Sequence, residues 1–274
     1  MTVETTGVVG AGLMGRDIAG LLANAGYAVT VVDVDSDALD AAREYHRTDL
    51  AAELDRGGFD VRDDLTERIA YDTDIETLGD ADFVVEAVPE DLALKQTIVA
   101  DIAAAAPDAV IGTNTSSLTP GEIAADLATP ERVVLFHFAN PAIHRDIIEL
   151  SGDAASESAL ETAREVGEAI ERTPVRLLAE YRANGLSRLS ASIKCAATWE
   201  LREAQAAAID TGARNAGFDR GPLEFIDLIG LDVHLATVDN LGAVYGDRYA
   251  PPPTVRERIQ RLLEPILPRA SMTW

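Results

Sequence analysis

Lysine, cysteine and long apolar runs are all scarce in this sequence. Its 274 residues include two lysines, Lys95 and Lys194, and 47 acidic side chains outnumber 23 basic ones, which gives a net charge of −24. Nucleic acids and anionic membranes bind proteins through a local excess of cationic side chains, so we expect neither as a partner. Acid-rich, lysine-poor surfaces suit high salt, which screens self-repulsion. We interpret the protein as halophilic, with a simply acidic mesophilic protein as the alternative.

The single cysteine, Cys195, excludes an intrachain disulfide and favours a reducing compartment. No run approaches the roughly 18 apolar residues that a membrane span needs. The first residues carry no basic flank and enter a strand pattern almost at once, which is unlike a secretory signal. With 47% hydrophobic residues, the chain has the composition of a globular protein. We therefore expect a cytoplasmic protein, long enough for two domains.

A glycine-rich turn near the amino terminus lies between a predicted strand and a predicted helix. Gly10, Gly12 and Gly15 follow a β-branched run, an apolar helix pattern comes next, and a second run, VTVVD, ends at Asp33. Such glycines allow a tight turn, close approach of a pyrophosphate and close packing of helix on strand, while the helix N-terminus attracts the anion. A carboxylate at Asp33 binds a ribose 2′-OH and repels a 2′-phosphate. This context predicts NAD rather than NADP.

Strands and helices alternate along most of the chain. The predicted strands after the glycine turn are residues 83–87, 110–113, 133–138, 147–150 and 174–178, and the main predicted helices are 36–56, 92–105 and 156–170. Alternation of this kind predicts an α/β fold with a Rossmann-type, doubly wound, mostly parallel sheet. From residue 179 the pattern is helical only, and a long helix is predicted there with Leu186, Leu189, Ile193, Ala197 and Leu201 on its apolar face. We predict an NAD-binding domain at 1–178 and a smaller all-α domain at 179–274, with a last helix ending near Leu267.

His137 is the leading candidate for a catalytic base. It lies on a predicted buried strand that ends at the ligand-binding edge of the sheet, and the pKa of an ordinary imidazole suits proton transfer near neutrality. A histidine base needs a partner that fixes its tautomer, and Glu149 is the candidate carboxylate. The alternative is a structural histidine whose hydrogen bonds are made by the backbone.

Four further polar residues are candidates with ordinary alternatives. Ser116 and Asn184 suit hydrogen bonding to a substrate oxygen, although serine is also common in turns and asparagine at helix N-caps. Glu90 and Lys95 flank the start of a helix, where they suit cofactor contact. Solvated surface charges are the alternative for both.

Five motifs occur in order along the chain. They are GAGLMGRDIA at the amino terminus, VVEAVPEDLALK at 84–95, NTSSL at 114–118, HFANP at 137–141 and GPLEFIDLIGLDV at 221–233. Together they resemble the short-chain L-3-hydroxyacyl-CoA dehydrogenases over both predicted domains. The resemblance implies NAD-dependent oxidation of the 3-hydroxyl of an acyl-CoA, or the reverse. It also implies His137 as general base, Glu149 orienting it, and Ser116 and Asn184 holding the substrate oxygen.

The same resemblance implies a cofactor site, a homodimer formed through the helical domain, and no metal. The implied NAD contacts are Gly10, Gly12, Leu13, Met14, Gly15, Asp33, Glu90, Lys95, Ser116 and Asn140.

Departures from the family pattern lie on the substrate side. Ala139 stands where the family has an aromatic residue, and Asn184 lies in EYRANG, whose other residues differ from the family run. Three alternatives therefore stay open. One is a dehydrogenase of a small 3-hydroxy acid without CoA, of the gulonate or carnitine type. Another is a β-hydroxyacid dehydrogenase that uses Lys194, and the third is a catalytically silent NAD-binding relative.

Overall fold

The computed structural model describes residues 2–257, so the predicted end of the last helix, near Leu267, lies outside the described residues. The chain divides into two compact units, Met1–Asn184 and Gly185–Trp274. The sequence predicts the domain boundary after residue 178. Residues 179–184 have no regular secondary structure and belong to the first unit.

One eight-stranded sheet forms the centre of the first unit. Its strands are β1 (Thr5–Val9), β2 (Ala28–Val32), β3 (Ile69–Asp72), β4 (Phe83–Glu86), β5 (Val110–Thr113), β6 (Val133–Phe138), β7 (Ile147–Ser151) and β8 (Thr173–Arg176). Their order across the sheet is β3-β2-β1-β4-β5-β6-β7-β8. All neighbours are parallel except β6 and β7, which run antiparallel. The predicted mostly parallel, doubly wound sheet is confirmed.

The strand order reverses at β1, which lies between β2 and β4. In open α/β sheets, ligands bind in the crevice outside the carboxyl ends of the strands at such a switch point. Gly10 and Ala87 follow the two strands that border this crevice. The Gly10 N–H donates to the Val32 carbonyl at 2.8 Å, and the Ala87 N–H donates to the Val9 carbonyl at 2.8 Å. The loops after β1 and β4 therefore leave the sheet side by side.

Helices cover both faces of this sheet. They are α1 (Leu13–Asn24), α2 (Ser36–Thr48), α3 (Leu50–Arg56), α4 (Leu92–Ala105), α5 (Pro120–Ile123) and α6 (Glu157–Ala169). One core joins apolar side chains of α1 and α6, such as Ile18 and Val166, to the strands. The core on the other face contains Val99 and Ile102 of α4. Strands buried on both sides explain why VVLFHF and FVVE are nearly continuous apolar runs.

Two local predictions were wrong in detail. The helix predicted over 36–56 is interrupted at Asp49, which separates α2 from α3. Thr48 Oγ1 donates to the Glu44 carbonyl at 2.9 Å and to Asp49 Oδ2 at 2.6 Å, and local bonds of this kind compete with the helical pattern. Strand β3 was not predicted, because it is a four-residue edge strand within an acidic stretch.

The described part of the second unit is helical. Its helices are α7 (Gly185–Glu200), α8 (Ala206–Asn215), α9 (Pro222–Ile229) and α10 (Leu231–Tyr245). The long helix α7 was predicted, but Leu189 on its predicted apolar face is 61% exposed, and the buried face instead includes Ala191, Cys195 and Thr198. None of the helices within residues 2–257 combines the length and apolar character that a membrane crossing requires.

Candidate active site

The glycine turn after β1 is built for close approach of a ligand. Gly10 has φ +107°, and a Cβ there would lie 2.7 Å from the Ala87 carbonyl oxygen. A Cβ on Gly15 would lie 1.8 Å from the Gly10 carbonyl oxygen, so α1 and β1 can pack this closely only with glycine. A Cβ on Gly12 would meet no protein atom within 4 Å, and no side chain caps α1. The residues present therefore fit a pyrophosphate at the α1 N-terminus.

Leu13 and Met14, both predicted cofactor contacts, form the first turn of α1 beside this loop. Leu13 is largely exposed, whereas Met14 packs partly against the core. Their N–H groups belong to the first turn of a helix, where no intrahelical acceptor exists.

Asp33 is held beside the same loop. Its Oδ2 accepts a hydrogen bond from the Ala11 N–H at 2.7 Å, and its Oδ1 accepts one from the Asp35 N–H at 2.9 Å. The carboxylate therefore has a fixed position directly after β2. The sequence predicts Ser36 as the N-cap of α2, but Asp35 caps this helix by accepting a hydrogen bond from the Asp37 N–H.

Glu90 connects the loop after β4 to the turn after β5. Its Oε1 accepts hydrogen bonds from Thr115 Oγ1 at 2.6 Å, from the Ser117 N–H at 2.7 Å and from the Ser116 N–H at 3.1 Å. Burial favours a higher pKa for Glu90, but the Lys95 charge and the hydrogen bonds from Thr115 and Ser117 outweigh it and hold the pKa below its ordinary value. Glu90 is therefore an ionised acceptor that organises the Ser116 turn.

Lys95 is buried, with 1% of its surface exposed. Its Nζ donates to Glu86 Oε1 at 2.7 Å and to the Val88 carbonyl at 3.1 Å, and lies 3.7 Å from Glu90 Oε2. The ammonium thus donates its hydrogen bonds to the end of β4 and to the loop that follows it. Direct contact of Lys95 with the cofactor stays a prediction.

His137 and Glu149 form a hydrogen-bonded pair on neighbouring strands. The antiparallel register of β6 and β7 sets them directly opposite each other, so both side chains project from the same face. His137 Nδ1 lies 2.7 Å from Glu149 Oε2, and both residues are buried. Since a carboxylate can only accept, the proton lies on Nδ1 and leaves Nε2 of the neutral ring as the basic nitrogen.

A third polar link joins the ends of β5 and β6. Asn114 Oδ1 accepts a hydrogen bond from the Phe138 N–H at 2.9 Å. Asn140, a predicted cofactor contact, is exposed two residues further along the same loop. Asn114 thereby fixes the chain between His137 and Asn140.

Asn184 lies against the Ser116 turn. Its side-chain Nδ2 donates to the Thr115 carbonyl at 2.8 Å, and its backbone N–H donates to the Ser116 carbonyl at 3.3 Å. Asn184 is buried, whereas Ser116 is exposed. Two candidates that are 68 positions apart in the sequence are therefore neighbours in the fold.

Several residues of this network are not predicted from the sequence. Thr113 Oγ1 donates to Glu86 Oε2 at 2.6 Å, and Thr115 and Asn114 make the bonds described above. The polar run TNTSS directly after a buried strand is the signal that marks them. The sequence pattern after β4 does not show that Glu86 points inward to Lys95 and Thr113, whereas Glu90 binds the turn at 115–117.

Two of the other histidines have partners away from these loops. His46 contacts the Tyr71 hydroxyl through Nδ1 at 2.6 Å and the Arg16 carbonyl through Nε2 at 2.7 Å. His144 Nε2 lies 3.0 Å from Glu53 Oε2 at the surface. Neither arrangement resembles the His137–Glu149 pair.

Comparison with known proteins identifies the family. Residues 5–181 match the model for the 3-hydroxyacyl-CoA dehydrogenase NAD binding domain, and residues 186–263 match that for the C-terminal domain of the same enzymes. The chain belongs to the 3-hydroxyacyl-CoA dehydrogenase family. Members of this family are NAD-dependent oxidoreductases, so the predicted family and cofactor are confirmed. The match decides against the β-hydroxyacid dehydrogenase alternative built on Lys194.

Individual relatives of this 3-hydroxyacyl-CoA dehydrogenase family member have known activities. The Escherichia coli K12 3-hydroxyadipyl-CoA dehydrogenase is 34% identical over 270 residues, which cover 94% of this chain and 56% of that protein. A crystal structure of 3-hydroxybutyryl-CoA dehydrogenase from the same organism superposes with a TM-score of 0.86 at 32% identity, covering 95% of this chain and 57% of that one. The chain thus spans a little over half the length of both proteins.

A further structural relative is similar in length to this chain. The (S)-3-hydroxybutyryl-CoA dehydrogenase from Ralstonia eutropha superposes with a TM-score of 0.85 at 27% identity, and the alignment covers 95% of this chain and 94% of that one. The two-part organisation of this chain therefore also occurs in a relative of its own size.

Proposed function

We propose that this protein catalyses the NAD-dependent oxidation of the 3-hydroxyl of a 3-hydroxyacyl-CoA to the 3-ketoacyl-CoA, or the reverse reduction. The observation that carries the proposal is the buried His137–Glu149 pair, with 2.7 Å between Nδ1 and Oε2, at the carboxyl end of β6. The family membership supplies the reaction class.

His137 is the general base in this proposal. With Nδ1 held by Glu149, Nε2 takes the proton from the substrate hydroxyl during oxidation and returns it during reduction. The positive charge that then forms on the imidazole lies beside the Glu149 carboxylate, which stabilises it. Because the β6–β7 register fixes the relative position of these two side chains, they need little reorganisation when the proton moves.

Ser116 and Asn184 hold the substrate oxygen. The Asn184 amide uses one N–H on the Thr115 carbonyl, which orients the group, and its second N–H stays available as a donor. The Ser116 hydroxyl lies in the adjoining turn. Donors that are fixed before reaction stabilise the developing charge on an oxygen better than mobile water does.

The cofactor is held by the glycine turn, the α1 N-terminus and Asp33, with Glu90 and Asn140 on the neighbouring loops. Bound NAD would supply the hydride acceptor for oxidation, or the donor for reduction as NADH. Asp33 excludes a 2′-phosphate by charge, and the neighbouring Asp35 adds to this repulsion.

The acyl-CoA substrate is supported by relatives that act on 3-hydroxyadipyl-CoA and 3-hydroxybutyryl-CoA. A small 3-hydroxy acid without CoA is a second candidate, because CoA phosphates require cations. Arg182, close in sequence to Asn184, places its guanidinium on Glu122, with Nε 2.8 Å from Oε1. Its charge is thus already balanced by a carboxylate.

A substrate panel tests the proposal. Acetoacetyl-CoA with NADH, and 3-hydroxyacyl-CoA substrates with NAD, are compared with free 3-hydroxybutyrate, gulonate and carnitine at high salt, each also with the phosphorylated cofactor. We expect turnover of the CoA thioesters with the unphosphorylated cofactor. Turnover of a free acid alone would favour the second candidate, and no turnover of any substrate would favour a catalytically silent relative.

We also propose a homodimer formed through the second unit. Large apolar side chains of that unit are exposed in the single chain, including Leu189 at 61% and Leu228 at 63%. Such surfaces in soluble proteins commonly mark association sites. Light scattering at high salt is expected to give twice the 29.2 kDa chain mass, and a monomer would contradict the proposal.

A further inference from the structure

A buried ion pair at the end of β4 has no role in the reaction proposed above. Glu86 is completely buried and Lys95 is 1% exposed, and their side chains meet at 2.7 Å. Buried ion pairs contribute little net stability, because desolvation offsets their attraction. A role in positioning the neighbouring loops accounts for the pair better than a role in stability.

Both carboxylate oxygens of Glu86 accept hydrogen bonds. Oε1 accepts from Lys95 Nζ at 2.7 Å and from the Val88 N–H at 2.8 Å, and Oε2 accepts from Thr113 Oγ1 at 2.6 Å. These partners lie on α4, on the loop after β4, and at the end of β5. Glu86 thus joins three segments that border the cofactor crevice.

Lys95 stands between two carboxylates. Its Nζ donates to Glu86 and also lies 3.7 Å from Glu90 Oε2. The other carboxylate oxygen of Glu90, Oε1, accepts the hydrogen bond from the Ser116 N–H. Glu86 keeps the ammonium in place. With a neutral residue at position 86, the Lys95 charge would have Glu90 as its nearest carboxylate and would draw it away from the turn.

We propose that Glu86 is a positioning residue which, through Lys95, sets the place of Glu90 and of the turn 115–117 that bears Ser116. The proposal rests on the proposed function only in taking Glu90 and Ser116 as parts of the ligand site. Glu86 itself acts by holding other groups, and direct contact of Lys95 with the cofactor stays a separate prediction.

The charges around Glu90 make this role measurable. Lys95 faces it from α4 and Glu86 lies behind Lys95 on β4, while the 115–117 turn presents only hydroxyl and amide donors. Lys95 is therefore the cation that offsets the effect of burial on the pKa of Glu90. Without Lys95, Glu90 takes up a proton at a higher pH than in the wild type.

The test compares Glu86→Gln, Lys95→Met and the double variant, with Glu157→Gln as a control that breaks the exposed pair of Glu157 with Arg176 in the same unit. Thermal midpoints and NADH binding, followed by nicotinamide fluorescence from pH 8 to pH 5, are measured separately. Both single variants are expected to lose stability, because each leaves a buried charge without its partner.

The double variant separates an effect of the pair on NADH binding from an effect on stability. We expect it to recover most of the wild-type thermal midpoint, because no buried charge remains unpaired, yet to bind NADH about tenfold more weakly, with its affinity falling at a higher pH than in the wild type. Wild-type NADH affinity across the pH range in a stable double variant would overturn the proposal and leave the pair a purely structural role.

A milder change keeps the proposal testable if the charge variants do not fold. Thr113→Val removes one hydrogen bond to Glu86 and alters no charge. It is expected to weaken NADH binding about 3- to 10-fold, which lies within the range for loss of one ordinary hydrogen bond, and unchanged binding would overturn the proposal. Since NADH binding needs no substrate, failure of the substrate panel would leave this result intact.

Discussion

At the scale of single residues, the candidate site follows from chemistry at strand ends. Glu90, Ser116, His137 and Asn140 each follow or end a predicted strand, and parallel strands bring such residues to one edge. The sequence therefore predicts which loops carry the candidate site. It did not predict that Lys95 turns inward to Glu86, because a strand pattern shows where β4 ends but not which side chain the next loop folds over.

Gly12 and Gly15 give matched substitutions with opposite expected effects. Gly12→Ala places a methyl group in open space, so we expect near-wild-type stability but NADH binding weakened at least tenfold, since the methyl lies where the pyrophosphate approaches. Gly15→Ala drives a Cβ against the Gly10 carbonyl and is expected to destabilise the protein by about 1–3 kcal/mol or more. Urea unfolding and fluorescence titration separate the two effects. Wild-type binding by Gly12→Ala would contradict this placement.

His234 predicts a pH dependence of stability. It is fully buried, and neither ring nitrogen has a hydrogen-bond partner in the described part of the chain. Burial, with a contribution from the Lys194 charge, lowers the pKa of His234 to about 4. The unfolded chain takes up this proton first as pH falls, so stability is lost from about pH 6.5 down to about pH 4, by at most roughly 3 kcal/mol.

His234→Leu isolates this contribution. The variant cannot take up the proton, so its free energy of unfolding is expected to fall less steeply between pH 6.5 and pH 4 than that of the wild type. Chemical unfolding at several pH values measures the difference. Parallel curves for the two proteins would show that His234 does not titrate differently on unfolding.

At the scale of elements, long apolar strands and capped helices were predictable, whereas weak edges were not. Helix α4 was predicted with its observed bounds, 92–105, because Asp91 caps its start and Pro107 lies just beyond its end. Strand β3 is short, acidic at its borders and stabilised mainly by pairing with β2, so no local signal marks it. The exposure of Leu189 likewise depends on tertiary packing and cannot be read from the helical periodicity of the apolar residues.

The link between β5 and β6 gives a test at this scale. Asn114→Ala leaves the Phe138 N–H without its acceptor, which is expected to cost about 1–3 kcal/mol and to lower turnover by loosening the loop that carries Asn140. Asn114→Asp keeps an acceptor oxygen at that place and serves as the control. Steady-state kinetics and urea unfolding are the measurements. Equal behaviour of the two variants would argue against the hydrogen bond as the cause.

At the scale of the whole molecule, the alternation of strands and helices predicts the fold. The net charge of −24 is a separate feature that the fold does not explain. Unpaired acidic side chains repel one another more strongly in the compact state, and salt screens that repulsion. Several exposed arginines are already paired with nearby carboxylates, as Arg164 is with Glu161. Much of the acidic excess therefore has no cation beside it.

We expect the thermal midpoint to rise by several degrees between low salt and about 2 M potassium chloride, because the Debye length shrinks from tens of ångströms to a few. Scanning calorimetry over this range measures the change, and sucrose of matched osmolarity controls for solvent exclusion. A midpoint that does not move with salt would favour the acidic mesophilic alternative.

The central claim is that His137, oriented by Glu149, moves the proton. The direct measurement is turnover of acetoacetyl-CoA with NADH by wild-type and His137→Gln enzyme, with NADH affinity measured on the same samples. We predict a loss of turnover of about 10²–10⁴-fold, while NADH affinity stays close to that of the wild type. A His137→Gln enzyme that turns over at a rate similar to the wild type would contradict it.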